Sequence, residues 1–152
     1  MTWNYVNALS ERLIRERRHF PSHFDLNGYT SGASREFTYI GAGTISEVCR
    51  AHATSRRVAR KRRLAWRVSN RQSRRYSLGW VPFAGSDTRW RRGQIFYKGH
   101  YIGVLRDSYG LAGYQEARGN SFRSGAFVED ARGRWYFTVA VTVPASSPVG
   151  DR

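Results

Sequence analysis

Between Arg50 and Arg75 the chain carries 11 basic side chains and not one acidic side chain. That many like charges repel one another unless a polyanion neutralises them, so the stretch asks for a polyanionic partner. It also divides the 152-residue chain in two. Of the 26 cations in the whole sequence only Lys61 and Lys98 are lysine, and acids number 11, for a formal charge of +15. Guanidinium is a planar, permanently charged fork that matches phosphate and stacks on bases, so this preference points to nucleic acid. A GC-rich coding sequence would also favour arginine, but the charge attracts polyanions whatever its origin.

Before the basic stretch the apolar period is helical. Trp3, Val6, Leu9, Leu13 and Ile14 share one face, with Arg12, Arg15, Arg17 and Arg18 opposite, which predicts a helix over residues 3–18. Pro21 stops it, and Asp25 is the expected cap of a second, weak helix containing Gly28. Thr44-Ile-Ser-Glu47 has capping-box spacing, so a third helix is expected from residue 44 to about 63. After Tyr76 the period becomes 2. Strands are expected at 78–82, 94–97, 101–105, 122–128 and 134–143, with a tight turn at Lys98-Gly-His100 and another over residues 129–133. The expected fold is α+β: a helical module over 1–75, a small antiparallel β-barrel of OB-like type over 76–143, and linker composition over 144–152.

Several functions are excluded or disfavoured. No apolar run reaches the ~20 residues of a membrane span, so no membrane partner is expected and a soluble, cytoplasmic protein is. Cys49 is the only cysteine, which removes internal disulfides and zinc ribbons. His19 and His23 are separated by Phe20-Pro21, which breaks the helix that would align them as metal ligands. No phosphate-cradling glycine loop occurs, and the glycines at 110, 113, 119 and 125 read as turns. Glu129-Asp130 fall in an expected solvated turn, and Asp151 is the penultimate residue. No catalytic constellation, metal site or cofactor is expected.

The candidate site is the basic segment itself: Arg50, Arg56, Arg57, Arg60, Lys61, Arg62, Arg63, Arg67, Arg71, Arg74 and Arg75, with Trp66, Tyr76 and Trp80 among or beside them. On a continued helix Arg56, Arg60 and Arg63 fall on one face with Arg57 and Lys61 alongside, a ladder able to follow a phosphate backbone. Aromatics among arginines suit base stacking or contact along an A-form duplex. Trp66, Trp80 and Trp90 are equally candidates for core anchors.

These same passages carry a family resemblance. The helix running from Thr44 into Arg56-Arg-Val-Ala-Arg-Lys-Arg-Arg-Leu-Ala-Trp-Arg67 resembles TnpB, the OrfB product of insertion sequences. So do Thr2-Trp-Asn-Tyr-Val-Asn7, Ser77-Leu-Gly-Trp-Val-Pro-Phe83 and the passage from Gly125 to Phe137. The resemblance implies an RNA-guided DNA endonuclease related to type V CRISPR effectors and formerly described as a transposase. It implies recognition helices over 2–75 and a wedge barrel over 76–143, with guide RNA and target DNA as partners. Family members open on a strand before the Trp-Asn-Tyr helix and continue into a RuvC-like nuclease and a zinc finger. This sequence has no match to the nuclease acids beyond Asp151, nor to the zinc cysteines, and has Ser46 where family helices often carry Gln. The expectation is a recognition-plus-wedge fragment that binds guide RNA and target DNA without cleavage chemistry of its own. Alternatives are a subunit of a split nuclease whose catalytic half is on a separate chain, or a basic helix-turn-helix DNA-binding protein.

Overall fold

A computed structural model describes residues 2–17, 19–36, 40–61, 63–113 and 122–142. Arg18, Arg62, Gly119, Val143 and the stretch 144–152 with Asp151 lie outside the described residues.

Helix α1 (Thr2–Arg17) forms where the apolar spacing predicts it, and buries Val6, Leu9 and Leu13. Arg12 and Arg15 stay in solvent, with Arg12 reaching Glu16 one turn on. Helix α2 (His23–Thr30) begins three residues earlier than a cap at Asp25 would place it. Ser22, not Asp25, is the cap: its hydroxyl accepts from the Asp25 amide at 3.2 Å, and the Asp25 carboxylate accepts from the Ser22 amide at 2.8 Å. Asp25 therefore completes a capping box as its acidic third member. A single turn, α3 (Ala33–Glu36), follows.

Helix α4 (Ala42–Ala59) corrects the expectation at both ends. It starts two residues before Thr44, with Gly41 as N-cap, because the Thr44 hydroxyl has another use: it is buried and hydrogen-bonds the Tyr97 hydroxyl at 2.7 Å. This bond ties the helices to the strands. Thr44→Val should remove it at nearly constant volume and cost about 1 kcal/mol, seen as a lower urea midpoint with an unchanged slope. The helix ends at Ala59, four residues short of 63, and Arg60 turns left-handed at φ 51°. Continuing it would stack like charges a turn apart. It would also forfeit the partners that α1 offers to the backbone of the next residues.

Among the described residues the second half holds six strands: β1 (Trp80–Ala84), β2 (Thr88–Arg91), β3 (Gln94–Tyr97), β4 (His100–Gly103), β5 (Phe122–Glu129) and β6 (Trp135–Val141). β2 was not anticipated, since arginines at two of its four positions mask its alternation. The strands form two antiparallel three-stranded sheets, ordered β1-β5-β6 and β2-β3-β4. The fold is thus α+β, helices first; a closed barrel does not form among the described residues. Arg92-Gly93 and Lys98-Gly99 all have positive φ, the geometry two-residue hairpin turns require.

Two cores result. Val6, Leu9, Leu13, Leu26, Ile45, Val48 and Cys49 pack between the helices, with Trp3 and Trp80 partly buried against them. In the strands, Phe83 is fully buried, its ring stacked on Phe137 at 5.2 Å and tilted against Phe127 at 5.4 Å. Phe83 pairs with Gly125 across the sheet, and a side chain at 125 would enter the space its ring occupies. Tyr97 also touches Phe127, so the second sheet closes over this aromatic layer. No helix among the described residues is long and apolar enough to cross a membrane.

Candidate nucleic-acid interface

Beyond Ala59 the basic segment becomes an extended strap laid across the molecule, and α1 supplies its fastenings. Glu11 pairs with Arg63 at 3.1 Å, Asn7 donates to the Leu64 carbonyl at 3.0 Å, and the Trp3 indole donates to the Ala65 carbonyl at 3.2 Å. Asn4 both donates to the Arg67 carbonyl and accepts from its amide, each at 2.8 Å, as a neighbouring strand would. The polar residues of Thr2-Trp-Asn-Tyr-Val-Asn7 therefore satisfy backbone groups that a longer α4 would have paired internally.

The strap then closes a compact loop. Val68 and Ser77 hold its ends through Ser77 N–H to Val68 O at 2.9 Å and Val68 N–H to the Ser77 hydroxyl at 3.1 Å. Glu129 fixes the loop to the sheet. Its side chain is 1% exposed, and its carboxylate accepts from the Arg71 guanidinium at 2.6 Å, the Tyr76 hydroxyl at 2.6 Å and the Gly79 amide at 2.8 Å. The Tyr76 hydroxyl first, then the Gly79 amide and the Arg71 charge, hold this carboxyl below its ordinary range. The expectation of a solvated turn is thus corrected at Glu129, the last residue of β5. Asp130 does make the turn, accepting from the Arg132 and Arg134 amides at 2.9 Å, and its pKa falls to about 2, chiefly through the Arg134 amide.

This geometry sorts the candidate residues. Arg56 is corrected outright: it is 3% exposed and points into the helical layer, where it donates to Ser10 Oγ. Burial lowers the pKa of its guanidinium and, with that charge adjacent, lowers His52 to about 4. His52 is therefore neutral at pH 7. Its Nε2 lies 3.1 Å from Asn7 Oδ1, and because Asn7 Nδ2 is committed to Leu64 as a donor, His52 Nε2 carries the proton. The helical ladder of Arg56, Arg60 and Arg63 does not form, because α4 ends at Ala59 and Arg56 faces inward.

Arg67 is a joint of the strap: it donates to the Leu78 carbonyl and lies 5.9 Å from the Trp80 ring. Arg71, Tyr76 and Trp80 are likewise structural, although the Arg71 side chain stays 66% exposed. Arg63 is pinned to Glu11, and Arg50 pairs with Glu47 at 3.6 Å. Arg57, Arg60, Lys61, Arg74 and Arg75 are exposed, and none makes an ion pair or side-chain hydrogen bond among the described residues. Trp66 stands beside them on the strap, 48% exposed, and is not a core anchor. Ser46 accepts from Asn27 at 3.0 Å, which links α4 to α2.

Sequence reasoning missed Glu129 and the fastening role of Asn4 and Asn7. The one usable signal was an acidic residue directly after the apolar Ala126-Phe-Val128 run. No protein-family model matches the chain, and no curated protein matches it.

Proposed function

We propose that the chain is a nucleic-acid-binding module, the recognition and wedge part of a TnpB-like RNA-guided system, binding guide RNA and target DNA through their backbones. One observation carries this reading: five cations on the strap and its approach, Arg57, Arg60, Lys61, Arg74 and Arg75, are exposed and have no carboxylate partner among the described residues. Arg50, Arg56, Arg63, Arg67 and Arg71 engage internal partners, whereas these five leave their charge for phosphate. The fastenings from α1 and Glu129 hold the strap in one shape, so phosphate contacts cost little ordering. In this reading the two sheets serve as the wedge, and base pairing supplies sequence specificity. Cleavage belongs to another polypeptide segment or chain. The helix-turn-helix reading has less support, because α4 packs against α1, α2 and β1.

Binding of a 20-nucleotide RNA by the purified chain, followed by fluorescence anisotropy across 50–300 mM salt, tests the proposal. With one phosphate per free cation the log–log slope is expected near −4, from about −0.7 to −0.9 per contact. A flat dependence would refute it. Nicking of a target plasmid by the isolated chain with Mg²⁺ and guide RNA would overturn the assignment of cleavage elsewhere.

A further inference from the structure

The β2-β3-β4 sheet has two faces with different commitments. Register places Thr88 beside Tyr97 and Trp90 beside Ile95 on one face, where Thr88 and Ile95 are buried and Tyr97 meets Phe83 at 6.4 Å. The other face carries Arg89, Phe96 and Tyr101 in one row, since Arg89 pairs with Phe96 and Phe96 with Tyr101. Arg91 and Gln94 form the next row. Phe96 and Tyr101 have ring centroids 5.0 Å apart, and the Arg91 guanidinium sits 5.1 Å from the Phe96 ring. Tyr101 is 48% exposed and Arg89 is exposed.

Charge narrows the occupant. Residues 88–103 contain Arg89, Arg91, Arg92 and Lys98 and no acid, with Arg92 and Lys98 at the hairpin turns that bound the face at its two ends. An apolar protein partner would have to desolvate these cations. A duplex has its bases stacked internally and could use the cations but not the rings. A single strand uses both: unstacked bases present π faces to the aromatics while phosphates meet the guanidinium groups.

We propose that this face is a stacking site for single-stranded nucleic acid, with one base on Tyr101, its neighbour on Phe96, and phosphates at Arg89 and Arg91. The site lies on one of the two sheets that the proposed function gives to the wedge, but it is separate from the strap and shares with it only a polyanionic partner. Ile95 and Tyr97 hold the sheet from behind, so the backbone beneath the outer face is anchored without a ligand.

The test uses the full chain and ten-nucleotide single strands, in RNA and DNA form, with 2-aminopurine at the centre. Binding is expected to quench 2-aminopurine through stacking and to be stronger than binding of the matching duplex. Tyr101→Leu and Phe96→Leu should each weaken binding about tenfold and abolish part of the quenching without changing the salt slope. Tyr101→Trp should preserve both, which separates stacking from mere folding, with circular dichroism as the check. Arg89→Ala should instead reduce the salt slope by about 0.7–0.9. Equal affinity and quenching in the Leu variants would overturn the site, whichever sugar is used. Loss in the Leu variants with full binding in a strap-charge variant would leave this site standing and sink the strap. The reverse pattern would do the opposite.

Discussion

Replacing Arg57, Arg60, Arg74 and Arg75 together by glutamate is expected to lower affinity for a 20-nucleotide RNA on the order of 10³-fold at 100 mM salt. Thermal unfolding should shift by no more than a few degrees. Affinity falls because each reversal removes one counter-ion-releasing contact and adds a repelled charge. Stability holds because none of the four makes an ion pair or side-chain hydrogen bond among the described residues. Exposed substitutions away from such contacts cost little. Choice of residue is the point of the experiment. Arg63 and Arg67 sit in the same basic run, but altering them would loosen the strap from Glu11 and from Leu78, mixing folding with binding. Arg56 would be worse, since its charge is buried beside Ser10. Anisotropy at several salt concentrations reads the effect: slope and affinity should fall together. Retained affinity in the quadruple variant would exclude the strap as the phosphate-binding surface.

Glu129→Gln is the second large effect, and it acts on shape. The buried carboxylate accepts from three donors, whereas an amide has one oxygen and presents its NH₂ group to the remaining donors. The loop over residues 68–77 should detach, with the melting temperature lower by roughly 5 °C or more and faster tryptic cleavage after Arg74 and Arg75. The pH dependence has a definite sign. Since the folded-state pKa of Glu129 lies below its ordinary value, its stabilisation is complete above the unfolded carboxylate range and drains away as pH falls below about 4.5. Wild-type protein should therefore lose loop protection in acid, and the Gln variant should show the loss already at pH 7. Equal tryptic rates for the two proteins at pH 7 would show that Glu129 does not hold the loop.

The legible parts of the fold were those with local causes. The apolar stripe of α1 and the Lys98-Gly99 turn depend on residues a few positions apart, and both lie close to where the periodicity and turn chemistry place them. Even the errors at α2 and the start of α4 were single competitions: Ser22 outranked Asp25 as cap, and the Thr44 hydroxyl found Tyr97. β2 was hidden because arginine on a strand's outer face looks like loop composition.

The candidate site was less legible, for one physical reason. Whether an arginine is free or spent depends on partners distant in sequence: Ser10 is 46 residues from Arg56, and Glu129 is 58 from Arg71 and 53 from Tyr76. Composition determined that the chain is strongly cationic; the placement of charge and the change of apolar period along the sequence determined that the cations concentrate between Arg50 and Arg75 and that helices precede strands. Tertiary structure decided which guanidinium groups are engaged, because a carboxylate pairs with an arginine, and a carbonyl or hydroxyl accepts its hydrogen bonds, only across a few ångströms, and only folding brings those groups that close.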